Sequence, residues 1–318
     1  KNIKSVSKSQ KFGIDCGATK IMAQSVLYDS KSQIIMPGHL RYEYNYSESS
    51  LWNPSFKPIP LEIQRTELKS GILNIQESEN IQASAIIDTI KQLISKLKTK
   101  DFALCYPGIK SNSGIVLMAN GPRIPDLTDQ IPELNNIYHD SECCILGEIN
   151  STIGRIRRTK NAIYIGGGTG IADGLILNNN IIDFNKENDL KRSWEFFLPS
   201  KTTVESNLSP NGMLAKWNRS SSKTLKTLFE LEKETKSKPI FEEASDAFSF
   251  LIRERISFFN RHNTKIEKIV IGQRLGEFLE LCQKNIRLLF ESKTNIPIEY
   301  SFDRRTASLG AAWKKFCS

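Results

Sequence analysis

Ala162-Ile163-Tyr164-Ile165-Gly166-Gly167-Gly168-Thr169-Gly170 is an apolar run that breaks into three glycines, a threonine and a fourth glycine. Each glycine adds a backbone entropy cost on folding, so such a run points to a backbone that something must approach closely. A shorter version lies about 150 residues earlier, where Phe12-Gly13-Ile14 leads into Asp15-Cys16-Gly17-Ala18-Thr19-Lys20. Both turns precede another strand-like stretch. A strand, a tight turn of Gly and Thr, and a returning strand make a hairpin whose backbone N–H groups can face a phosphate. One such device in each half of the chain suggests two lobes gripping one polyphosphate, and so a nucleotide-dependent phosphotransferase.

Working outward, residues 11–16, 21–28 and 34–43 read as three successive strands. The stretch 45–78 carries Pro54, Pro58 and Pro60 without a clean period and reads as an irregular loop. Residues 81–97 have a helical period, with Ile86, Ile90, Leu93 and Leu97 on one face. Strands follow at 102–105, 114–118 and 137–139, and a helix at 141–152. The second half repeats the order: strands at 161–166, 173–177 and 181–183, a polar irregular stretch at 184–201, and helices at 202–217 (interrupted at Pro210), 225–233 and 243–260. A strand at 268–271, a helix at 275–289, a strand at 296–300 and a helix at 304–316 complete it. Three strands followed by alternating helix and strand, twice over, predict two α/β lobes, each a mixed sheet flanked by helices, with a cleft between them. The boundaries expected are 1–138 plus 304–318 for one lobe and 139–303 for the other.

Composition bounds the class. The 318 residues are about twice the usual ~100–200 per domain, and 39% hydrophobic content is enough for two cores. No run of ~18 apolar residues predicts a membrane span, and Lys1-Asn2-Ile3-Lys4-Ser5 lacks a secretory pattern. The six cysteines include no CxxC pair and read as reduced thiols, mostly core filler, in a cytoplasmic protein. The net charge of +9 is spread along helices with Glu and Asp. Its densest cluster, Arg155, Arg157, Arg158 and Lys160, reads as a solvated basic helix end, with extra positive potential near an anionic ligand as the functional alternative. Only about eleven residues precede the first turn, too few for a helix-turn-helix domain there, so no nucleic-acid partner is expected.

With these motifs in place, the chain resembles the ROK (repressor, open reading frame, kinase) group of sugar kinases, within the actin/hexokinase-like superfamily of two ribonuclease H-like lobes. The match covers nearly the whole chain in order. Gly13 to Lys20 resembles the family's first phosphate loop, which implies phosphate contacts from Gly17, Ala18, Thr19 and Lys20 and places Asp15 near the metal–phosphate group. Gly166 to Gly174 resembles the second phosphate loop, implying Gly167, Gly168, Thr169 and Gly170. Ile269 to Gly276 resembles the adenosine-binding turn through Gly272, although its usual second glycine is Gln273. Tyr106-Pro107-Gly108 and the later Asn120 resemble the segments that line the sugar pocket.

Asp140 matches the aspartate that takes the proton from the attacking sugar hydroxyl. The family's Asn-Asp pair is His139-Asp140 here, so His139 reads either as a substrate contact of altered chemistry or as a strand-end histidine satisfied by backbone. Because Asp140 stands where a helix should start, simple N-capping is its plain structural reading. Glu205 matches a sugar-binding glutamate. Residues 194–203 hold neither cysteine nor histidine, so the zinc site many relatives carry there is not expected, and Trp194, Phe196 and Phe197 are expected to hold that loop by packing. The implied activity is an ATP- and Mg²⁺-dependent, glucokinase-like phosphotransferase acting on a hexose or amino-hexose, with a homodimer as a possible assembly. The alternative is a ROK-like sugar or nucleotide sensor that has lost efficient catalysis.

Overall fold

The computed structural model describes residues 10–184, 186, 187 and 189–317. The chain divides into two compact units, Lys1–Ile153 with Arg305–Ser318, and Gly154–Arg304.

In the first unit, β1 (Lys11–Cys16), β2 (Lys20–Asp29) and β3 (Ile34–Asn45) form an antiparallel meander. Then come α1 (Leu61–Ser70), α2 (Glu77–Leu97), β4 (Phe102–Tyr106), the small hairpin β5 (Ile109–Lys110) and β6 (Ile115–Leu117), α3 (Leu127–Gln130), β7 (Ile137–His139) and α4 (Asp140–Asn150). The sheet runs β3-β2-β1-β4-β7, with β4 parallel to β1 and β7 parallel to β4. The apolar stripe of α2 (Ile86, Ile90, Leu93 and Leu97) packs with Phe12, Ile14 and Leu104 of the strands, as its period requires.

The expected loop at 45–78 holds a helix, α1. Its anchor is polar: the buried Gln64 side chain clamps the Met118 backbone, accepting from its N–H (2.8 Å) and donating to its carbonyl (2.9 Å). A helix anchored through polar side chains shows no apolar period to read. The fully buried Arg123 ties this region together, pairing with Glu79 of α2 at 2.7 Å and with Glu67 of α1.

The second unit comprises β8 (Ala162–Gly167), β9 (Ile171–Leu177), β10 (Asn180–Ile181), α5 (Val204–Leu208), α6 (Pro210–Ser220), α7 (Leu228–Leu231), α8 (Lys238–Arg261), β11 (Lys268–Gly272), α9 (Gln273–Leu281), α10 (Lys284–Glu291) and β12 (Ile298–Tyr300). Its order, β10-β9-β8-β11-β12, is that of the first sheet: an antiparallel meander, then two strands parallel to its first. The duplication read from the sequence is therefore one of topology.

Two local expectations fail here. The single helix at 275–289 is broken at Cys282-Gln283, where the Gln283 amide bonds Glu232 (3.1 Å). The break lets Phe278 on one side and Ile286 and Phe290 on the other enter the same core. The basic cluster at 155–160 lies in turns rather than at a helix end, with Arg155 stacked over Phe302 at 5.4 Å. Among the described residues no helix is long and apolar enough to cross a membrane, and no cysteine is in a disulfide.

The last helix, α11 (Thr306–Phe316), returns to the first unit and packs on α4 and β1. Glycines make this possible. A Cβ at Gly13 would overlap the Ser308 carbonyl, and one at Gly310 the Cys143 carbonyl. Backbone meets backbone at both places, so Gly310→Ala is expected to cost about 1–3 kcal/mol through overpacking. Urea melts would check this; unchanged stability would show that α11 can shift freely.

Candidate active site

In the first unit, parallel pairing brings the carboxyl ends of β1, β4 and β7 to one edge. Asp15 is in register with Cys105, and Tyr106 with His139. With strands ~4.8 Å apart, Asp15 and the start of α4 stand roughly 10 Å apart across β4. Asp15 Oδ1 lies 3.7 Å from the Cys105 thiol.

The first glycine turn closes by the Gly17 N–H donating to Lys20 O (2.8 Å). That leaves the Ala18 and Thr19 amides without a partner among the described residues. The Lys20 ammonium is engaged by Glu43 at 2.5 Å. Asn120 sits exposed in the bend after β6.

His139, not Asp140, caps α4: its Nδ1 accepts from the Ser141 N–H at 3.3 Å. Asp140 is the first helical residue, with its carboxylate 31% exposed and Oδ1 3.1 Å from His139 Nδ1. Burial pushes the Asp140 carboxyl up, but the His139 side chain, the Lys110 charge and the Ser141 N–H outweigh it and hold it below the usual carboxylate value. Lys110, which donates to Gly108 O at 3.0 Å, is a residue the sequence reading passed over. Burial pulls its ammonium down while Asp140 pulls it up, and the net shift is downward. Its signal was a lone charge two residues beyond Pro107-Gly108. The group as a whole is a carboxylate at a helix N-terminus, with the Lys110 charge acting on it and the His139 ring beside it.

In the second unit, the Gly166–Gly170 turn closes in the same way, the Gly168 N–H donating to Gly170 O (2.8 Å). The Thr169 and Gly170 amides are left without partners among the described residues. Nothing lies within 4 Å of where a Gly168 Cβ would stand, so the turn faces open space, while a Cβ on Gly167 would strike Leu275. Gly272 pairs in register with Gly166. Gln273 adopts φ +61°, the left-handed conformation glycine takes easily, so the turn keeps its course despite the substitution.

Glu205 on α5 accepts from the Ile171 N–H at 3.1 Å, directly beyond the turn. Burial pushes its carboxyl up, partly countered by that N–H.

No family model matches the chain, and no curated protein does. Among solved structures, a ROK family glucokinase from Streptomyces griseus in complex with glucose and AMPPNP is similar over 95% of this chain and 98% of its own, at 14% identity and TM-score 0.64. The chain has the ROK sugar-kinase fold. A ROK hexokinase from Thermus thermophilus shares it over 95% of this chain and 96% of its own (13% identity, TM-score 0.58). So does a ROK family transcriptional regulator, a homologue of the E. coli MLC protein, over 95% of this chain and 76% of its own (12% identity, TM-score 0.56). The ROK fold thus serves both catalysis and regulation, and the side chains must decide between them.

Within this ROK fold the segment before Glu205 is held by a buried ion pair. Arg255 Nε meets Asp173 Oδ2 at 2.6 Å, with both side chains 1% exposed. Arg255 also donates to Lys191 O (2.7 Å), and Asp173 Oδ1 accepts from the Ser193 N–H (3.0 Å). Phe184 and Phe196 flank the guanidinium at 5.3 and 5.2 Å. The expected aromatic packing is therefore corrected: Phe196 joins the clamp, but Phe197 is 66% exposed.

Proposed function

We propose that this protein is an ATP-dependent sugar kinase that transfers the γ-phosphoryl group to a hydroxyl of a hexose or amino-hexose. The observation that carries the reading is Asp140: an ionised, accessible carboxylate at the parallel-strand edge that also bears Asp15. A carboxylate in that state can accept a hydrogen bond from a sugar hydroxyl and take its proton as the new O–P bond forms and the β–γ bridging P–O bond breaks. ADP then leaves with the bridging oxygen.

Each glycine turn offers two free amides, suited to phosphate oxygens. Mg²⁺ is commonly held by one or two carboxylates plus substrate phosphates, and Asp15, at the carboxyl end of β1, is a carboxylate of that kind. Asp15 would hold it, and when bound it would neutralise phosphate charge. Asn120, His139 and Glu205 are the proposed contacts to the sugar. Lys110 acts as a positioning residue that keeps Asp140 ionised.

The test is a coupled ADP-release assay with Mg²⁺-ATP over hexoses, N-acetylglucosamine and N-acetylmannosamine, run beside calorimetry. Turnover of at least one sugar is expected. Binding of ATP and sugar without turnover would replace the kinase by a sensor.

Glu205 yields a separate expectation. Its raised pKa means the folded state disfavours the carboxylate, so stability rises as pH falls through that value. Glu205→Gln removes this cost yet keeps an acceptor for Ile171. The melting temperature should hold or rise at neutral pH, while sugar affinity drops about 10- to 100-fold through loss of a charged hydrogen bond. Unchanged sugar affinity would remove Glu205 from the pocket.

A further inference from the structure

Three parallel strands of the second unit end side by side. Gly166 of β8 is in register with Gly272 of β11, Ile271 with Tyr300 of β12, and the Ser301 N–H continues the ladder to Ile271 O at 2.8 Å. The segments 166–170, 272–274 and 301–304 therefore leave the sheet along one edge, the carboxyl edge beside which open α/β sheets bind ligands. Two arginines converge there. Arg274 Nη2 donates to the Thr169 hydroxyl at 3.2 Å, and burial, with a further contribution from the nearby Arg304 charge, pulls the Arg274 guanidinium below its ordinary value.

Among the described residues neither arginine has an ion-pair partner, and both are partly exposed. Like charges held together without a carboxylate repel each other, a cost that an anion between them would cancel. The neighbouring space is already filled. The Tyr164 hydroxyl would lie 2.6 Å from a Cβ on Gly272, and the Gln273 side chain covers Gly166. What the β11 turn presents beside Thr169 is thus a guanidinium.

We propose that Arg274 and Arg304, with the Thr169 hydroxyl, form a phosphate-chain site through which this protein grips its phosphoryl donor by the phosphates rather than by the base. The guanidinium fork matches phosphate oxygens two at a time. A second pair of donors next to the free amides of the glycine turn can engage a neighbouring phosphate of the same chain. That the ligand is a phosphoryl donor rests on the kinase reading; that it is a linked phosphate anion rests on the arginines.

Calorimetry on the full chain with sodium tripolyphosphate, ATP and AMP tests the site in R274Q, R304Q and the double variant. The unsubstituted protein should bind tripolyphosphate, and each substitution should weaken that binding about 10- to 100-fold while moving AMP affinity less than about threefold. Failure of the unsubstituted protein to bind tripolyphosphate, or undiminished binding by the variants, would overturn the proposal. So would an equal loss of AMP affinity, which would make the arginines contacts to a single phosphate or to the base rather than to a linked phosphate chain.

If a glutamine variant does not fold, R274K and R304K are read instead. They keep the charge but lose the fork, so an intermediate loss supports the site and no loss overturns it. A protein that binds tripolyphosphate through these arginines but phosphorylates no sugar would sink the kinase reading and leave the site. A working sugar kinase whose arginine variants bind tripolyphosphate normally would do the reverse.

Discussion

Replacing Asp140 by asparagine is expected to lower kcat for sugar phosphorylation by roughly 10²- to 10⁴-fold, the range for loss of a general base. The substitution keeps the shape of the first residue of α4 and leaves the His139 cap in place. The favourable contact of a carboxylate with the helix N-terminus, typically ~0.3–1 kcal/mol, is lost together with the charge contacts to His139 and Lys110, at a partly exposed position. The melting temperature should therefore move little while turnover collapses, and calorimetry should still detect the sugar. Normal turnover in this variant would dismiss Asp140 as the base. The pH profile gives a second reading. Because Asp140 is held below its unfolded value of about 3.9, its ionised form contributes stability that is present above that value and lost as pH falls through the lower folded value. The base should accordingly remain ionised into the acid range, and an acid limb near neutrality would have to come from another group.

Arg255→Met should produce the largest loss of stability, about 3–5 kcal/mol, because it strands the Asp173 carboxylate in the core of the second unit. In a unit of this size each kcal/mol moves the melting temperature by roughly 2–4 °C, so a fall on the order of 10 °C is expected. The control is the double variant Asp173→Leu with Arg255→Met, which removes both charges together and should recover much of the loss. If the double variant is as unstable as the single one, what matters is the anchoring of Lys191 and Ser193 rather than charge pairing.

The strands and longer helices were legible in the sequence because apolar period writes them openly: α2, α8 and the strands flanking both glycine turns stand where alternation and spacing put them. What escaped is held by polar contacts. Gln64 carries α1, and Arg255 with Asp173 carries the segment before Glu205; a lone amide or a charge in a chain that is 25% charged gives no pattern to detect. The site divides along the same line. Glycine turns advertise themselves, and Asp140 is visible from its place between strand and helix. Lys110 in the first unit, and Arg274 and Arg304 in the second, come into the picture only once the strands of their own unit end side by side. His139 shows the limit of resemblance: a strand-end histidine satisfied by backbone was one of its two expected readings, and the Ser141 N–H contact fits it, but the sequence did not show that the same nitrogen stands 3.1 Å from its neighbour's carboxylate.

The glycine contacts of α11 bear on how the chain matures during synthesis. Residues 154–304 emerge as one uninterrupted stretch and can close around their own core, whereas residues 1–153 wait for 305–318 to reach the glycine face of β1. At ~5–20 residues per second, the interval between making residue 153 and residue 318 is roughly 8–33 s. The half that is translated first therefore finishes folding last, and premature termination near residue 304 would release a sound second unit tethered to an open first one.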